Sequence, residues 1–169
     1  MNTSYEMVND WFFSLIEKDW EFFNYYGLPE NEAIALAQDR ASKYREEAIR
    51  LIMTRCLPQI DFTQREVDES GNEIGFAFAF NGQEELLVPM LMYKSYLFRD
   101  IAKLKTYNVN FTASAIKVFD PSNARTSFES LYRQVEMEVN QLIDDYKNTD
   151  RLTGQYRTFD PAKYDIAIN

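Results

Sequence analysis

Apolar residues are spaced along this chain with two periods, and the switch between them divides it into elements. From Asp120 to Lys147, Phe128, Tyr132, Val135, Val139, Leu142 and Tyr146 recur at steps of three and four, the spacing of one long helix with a single apolar seam. Asp120 suits the cap and Pro121 the first helical position. Upstream, Thr3 and Glu6 stand in capping-box spacing and open a helix predicted to run to about Tyr26, where Gly27 and Pro29 stop it. Its polar arc holds Glu6, Asp10, Ser14, Glu17, Glu21 and Asn24. Aromatic and aliphatic residues, among them Trp11, Phe12 and Trp20, take the remaining two-thirds of the circumference, more than one neighbouring helix can cover. That surplus makes Trp11, Phe12 and Trp20 candidate interface residues.

A second helix is predicted from Pro29 to about Cys56, with Ile34, Ala37, Ala41, Tyr44, Ala48 and Leu51 on its seam and Arg40, Lys43, Arg45, Glu46, Glu47 and Arg50 on a solvated face. Between Ile60 and Asn81 the period becomes two. Phe76, Phe78 and Phe80 alternate with small residues, Ile60 and Phe62 alternate with polar ones, and Asp68-Glu69-Ser70-Gly71-Asn72 supplies a turn, which together predict a β-hairpin. A two-stranded ribbon needs outside support, either from its own helices or from another chain. Phe76, Phe78 and Phe80 are therefore counted as candidate interface residues. A third, core helix is predicted to begin between Glu84 and Pro89 and to run to about Lys105, because proline is tolerated in a first turn and not deeper. Tyr107 to Phe119 reads as a loop with a short extended piece, and Asn148 to Asn169 as an extended tail.

The predicted fold is mainly α: a helical bundle of about four helices with an inserted β-hairpin and an extended C-terminal tail. Residues 1–147 form the bundle and 148–169 an assembly arm, anchored through Tyr156, Phe159, Tyr164, Ile166 and Ile168. On this reading the arm contributes little to the stability of the isolated chain.

Composition narrows the function. The 169 residues carry 18 basic and 27 acidic side chains, a formal charge of -9, which disfavours phosphate backbones and anionic membranes as general partners. The single cysteine, Cys56, cannot form an internal disulfide and fits a reducing compartment. No targeting sequence and no bilayer-length apolar run is seen. Histidine is absent, which excludes Ser-His-Asp and Cys-His nucleophile activation and most zinc sites. No glycine-rich phosphate loop occurs among five glycines, and the adjacent Asp144 and Asp145 splay apart on a helix. No enzyme activity, catalytic residue, metal or organic cofactor is expected; a metal-dependent carboxylate enzyme would need an acidic cluster that the sequence lacks.

Glu85-Leu86-Leu87 leading into Met90 and Leu97, then Val118-Phe119-Asp120-Pro121-Ser122-Asn123-Ala124, then a long helix closing on Asp145-Tyr146, resembles the head-to-tail connector (adaptor, neck) proteins of tailed bacteriophages. The resemblance covers mainly Glu85 to Lys147; the phenylalanine-rich hairpin and the tail are not part of it. It implies a structural virion protein, made in the host cytoplasm and assembled as a dodecameric ring under the portal protein. Such a ring docks a downstream neck or tail protein and lines a channel through which DNA passes without specific binding. No catalytic residues come with the family. The competing class is a small acidic intracellular regulator or inhibitor that binds a basic protein surface.

Overall fold

The computed structural model describes residues 2–16, 29–56, 58–110 and 121–157, the side chains of residues 30, 100–110 and 121–128 excepted. Among the described residues there are four helices and one two-stranded antiparallel hairpin: α1 (Tyr5–Ile16), α2 (Glu30–Arg55), β1 (Arg65–Val67), β2 (Glu73–Phe76), α3 (Gly82–Asn110) and α4 (Pro121–Asn148). The predicted run of the first helix to Tyr26, the segment 111–119, the cap at Asp120 and the tail beyond Arg157 lie outside the described residues.

α3 is the hub, touching α1, α2 and α4. It is buried on several sides at once: Leu87, Val88, Met90, Leu91, Met92, Tyr96 and Leu97 all belong to the core. α4 packs on α3 with a single face. As α3 advances from Glu84 to Lys94 to Phe98, the α4 partner recedes from Tyr146 to Glu136 to Tyr132, so the two helices are antiparallel in constant register. With 29 and 28 residues they are rods of about 40 Å. The seam predicted for α4 is the one used, with Val135, Val139 and Tyr146 buried and Tyr132 and Leu142 packed against the core.

Several local expectations need correction. The cap of α1 is Ser4, whose Oγ accepts the Met7 N–H at 3.2 Å. Thr3 is used otherwise: its N–H donates to the Phe78 carbonyl, its carbonyl accepts from Phe76 N–H, and its Oγ1 accepts from Phe80 N–H. α3 begins at Gly82, so Pro89 sits well inside the helix rather than in its first turn. The missing proline N–H deprives only the carbonyl of Glu85, an exposed residue where water can substitute. α3 also continues to Asn110, into the stretch expected to be a loop. Ile60 to Thr63 turns rather than forming strand, although Phe62 is fully buried.

The hairpin is supported by its own chain. β1 pairs with β2, and Ser4 bridges to Gly75 on the other edge of β2. A Cβ at Gly75 would lie 2.7 Å from the Thr3 carbonyl oxygen, so this close approach requires glycine. The turn is held by Asp68, whose carboxylate accepts from the N–H groups of Ser70 and Asn72 and from the Asn72 amide, with Gly71 at φ 83°. Beneath it, Phe62, Phe76, Phe78 and Phe80 form one aromatic cluster with ring centroids 4.7 to 6.2 Å apart.

Candidate functional site

The most closely knit polar constellation lies where α3 begins and α4 ends. Asn81 Oδ1 accepts from the Gln83 and Glu84 N–H groups, and the Glu84 carboxylate accepts from Asn81 N–H at 2.9 Å, a reciprocal cap on α3. The same carboxylate is wholly buried, at 0 % exposure, and is met from the far end of the chain. Arg151 grips it with Nε at 2.7 Å from Oε1 and Nη2 at 3.0 Å from Oε2, while the Tyr146 hydroxyl donates to Oε1 at 2.9 Å. Arg151 Nη2 also donates to the Ala79 carbonyl. Burial, and secondarily the Glu84 charge, raises the Tyr146 hydroxyl pKa; the hydrogen bond to Glu84 raises that of Arg151. Gln59 completes the clasp by donating to the Thr149 carbonyl and accepting from Arg151 N–H.

Residues 149–157 are therefore part of the bundle, not the start of an extended arm. Asp150 accepts from Leu152 and Thr153 N–H groups, Gly154 takes φ 68°, and Thr149 bridges antiparallel to Tyr156. The chain turns back on α4. Tyr156 ends with its hydroxyl 3.3 Å from Asp145 Oδ1.

A second polar group sits between α1 and α2. Arg45, predicted for the solvated face, is buried: its guanidinium lies 3.6 Å from the Tyr5 ring centroid and donates to Asn9 Oδ1 and Ser42 Oγ. Burial pushes the Tyr5 hydroxyl pKa up to about 12, and it donates to Glu73 Oε2 at 3.3 Å. A shallow groove of about 370 Å³ opens beside this pair, with Glu6 and Asp10 on its rim. Both polar groups act as braces between elements, although the Arg45 Nε is buried without a hydrogen-bond partner.

Of the predicted interface residues, Phe12, Phe76, Phe78 and Phe80 are core side chains, and a surface role is closed to them. Phe12 packs among Phe13, Tyr44 and Tyr96. Trp11 is half-buried beside Phe80, at 6.4 Å between centroids. Tyr156 is exposed, at 68 %. Trp20, Phe159, Tyr164, Ile166 and Ile168 lie outside the described residues.

Other apolar side chains face outward as well, among them Ile34 of α2, expected on its seam but 50 % exposed. On α3 and α4 they are Leu86 at 51 %, Phe98 at 63 % and Met137 at 73 %, and Leu152 at 88 % follows in the turn after α4. Stepping α4 round by 100° per residue places Met137 opposite the seam, a signal present in the sequence. Between α3 and α4 a groove of about 320 Å³ is lined by Leu86, Met90, Glu138, Gln141, Leu142 and Asp145.

Among the described residues, no group of three or more His, Cys, Asp or Glu is placed to hold a metal ion, and no helix is long and apolar enough to cross a membrane. Cys56 is a free, buried thiol at the C-cap of α2, and burial raises its pKa. Comparisons with protein-family models, with curated proteins and with solved structures find no match.

Proposed function

We propose that this chain is a structural assembly protein of the head-to-tail connector kind, whose copies form a ring between portal and tail around the DNA channel. The observation that carries the reading is the outward apolar set on the α3–α4 pair, Leu86, Phe98 and Met137, displayed on two antiparallel rods. Met137 stands on the face of α4 turned away from its own core, where no internal packing role accounts for it. Completing the burial of Phe98 and Met137 against neighbours would stabilise an assembly by about 1–2 kcal/mol each. Repeated at every subunit boundary, that favours a closed ring. The excess of acidic side chains suits a channel wall along which DNA slides, since fixed negative charge repels phosphates.

Native mass spectrometry and negative-stain microscopy of the chain, alone and mixed with a portal protein, test this. Closed rings are expected, and Met137→Asp should prevent them without lowering helicity. A chain that stays monomeric or dimeric under both conditions and instead binds a basic protein would favour the acidic-regulator reading.

A further inference from the structure

The groove between α1 and α2 has on its wall a buried positive charge that the described residues leave uncompensated. Arg45 is 5 % exposed, and its guanidinium has more N–H donors than it uses. Among the described residues it donates from Nη1 to Asn9 Oδ1 at 3.1 Å and from Nη2 to Ser42 Oγ at 3.2 Å, both neutral acceptors, while Nε has no partner. Burial lowers the pKa of this guanidinium, and the two carboxylates whose charge opposes that, Glu46 and Glu73, are each already paired with Arg65. The Tyr5 ring beneath it offsets part of the desolvation, but a ring face carries no full charge.

The opposite charge stands on the rim of the same groove. Glu6 and Asp10 lie one helical turn apart on α1, both exposed and neither paired with a cation among the described residues, Arg45 included. Phe13 adds an apolar surface to the lining, and the volume of about 370 Å³ falls at the lower end of the range for small-molecule sites. We propose that this groove binds a small ligand with a carboxylate at one end and an amine cation at the other, the carboxylate on the Arg45 guanidinium and the amine between Glu6 and Asp10. Asn9 and Ser42 are only partly buried, so they can turn aside for the carboxylate, whose charge-assisted bonds to a guanidinium are about twice as strong as those of a neutral acceptor. The site lies apart from the outward apolar set on α3 and α4 and is independent of the connector reading.

Titration of the full chain with 6-aminohexanoate, whose flexible stem lets its two charges adopt a range of separations, tests this. The readout is the set of ¹H–¹⁵N correlation spectra that includes the arginine Nε–H resonances. Saturable shifts are expected at the Arg45 Nε–H and at the backbone amides of the groove, with a Kd of about 1 mM or tighter. Hexanoate, which lacks the amine, and hexylamine, which lacks the carboxylate, should each bind about tenfold more weakly or worse. Glu6→Gln combined with Asp10→Asn, at exposed positions, should weaken 6-aminohexanoate to the level of hexanoate while leaving the circular dichroism spectrum unchanged. The proposal is overturned by the absence of saturable shifts with 6-aminohexanoate, by shifts confined to other surfaces, or by equal affinity for either single-ended probe. A folded double variant that binds like the parent overturns it too; if that variant does not fold, the comparison of the three probes alone decides.

Discussion

Replacing Arg151 by Met tests the clasp directly, because the aliphatic stem stays while the guanidinium that holds Glu84 is removed. Glu84 would keep the Tyr146 hydroxyl and the Asn81 N–H, but would lose its counter-charge in a site where none of its side chain reaches water. Breaking a buried pair from one side costs about 3–5 kcal/mol, since the remaining charge stays desolvated. Arg151 lies at the rim, its side chain 17 % exposed, so water can partly relax the site and the lower value, about 3 kcal/mol, is expected. With a urea dependence of about 2 kcal/mol per molar, the unfolding midpoint should fall by about 1.5 M. Glu84→Gln leaves the positive partner near solvent and should cost less, about 1–2 kcal/mol. The double variant should be destabilised by less than the two single losses added together, because no buried charge is left; the discrepancy, about 1–3 kcal/mol, measures the coupling. Urea unfolding followed by far-ultraviolet circular dichroism gives all four stabilities. An Arg151→Met midpoint indistinguishable from the parent, or strictly additive losses, would refute the view that the segment after α4 is bound to the start of α3 through this carboxylate.

Truncation after Lys147 removes Thr149 and Arg151 together, so its melting temperature should drop at least as far as that of Arg151→Met, whereas truncation after Arg157 should retain the clasp. Phe76→Ala opens the centre of the four-phenylalanine cluster and should cost about 3–5 kcal/mol in chemical denaturation of the isolated chain. Gly75→Ala drives a Cβ into the Thr3 carbonyl, a backbone atom that cannot simply rotate away, and should cost about 1–3 kcal/mol by the same measurement. The Asp68 carboxyl is held below the usual carboxylate range, first by the Asn72 amide and then by turn N–H groups. A depressed folded-state pKa means that the ionised turn contributes stability above the unfolded value of about 4 and loses it as pH falls through the folded one. Asp68→Asn should therefore narrow the gap in stability from the parent below about pH 4, and a gap that widened on acidification would contradict the assignment.

What could be read from the order of residues follows from local periodicity. α2 and α4 have sharp boundaries because Pro29, Pro58 and Pro121 punctuate seams whose neighbours lie on one side. The hairpin was legible from the turn at Asp68 to Asn72, though its strands were misplaced: of the alternating Phe76, Phe78 and Phe80 only Phe76 lies on β2, and β1 begins at Arg65, after Ile60 and Phe62. Its role was not legible. Whether an apolar strand face meets its own core or another chain depends on what stands opposite it, and the partners come from two distant parts of the chain, Tyr5 and Trp11 from α1 and Phe62 from the turn after α2. α3 was legible as a core helix, though not as the hub, because a helix buried on several sides has no single seam to mark its neighbours.

The polar braces divide along the same line. Asn81 and Glu84 have the spacing of a reciprocal cap, a pattern within four residues and so visible in the sequence. That the same carboxylate is buried and gripped by Arg151, 67 positions away, is a tertiary fact: neither residue alone signals burial, and each would be read as a solvated charge. Arg45 is the same case, an arginine at an apparently polar helix position that becomes buried because Tyr5 from α1 covers it. The sequence by itself determined the helical elements, the hairpin and its turn, since these depend on spacing over one or two turns of backbone. Only the tertiary structure decided which aromatic residues are core, which charges are buried, and that residues 149–157 turn back instead of extending, because burial depends on residues distant in sequence and adjacent only in the fold.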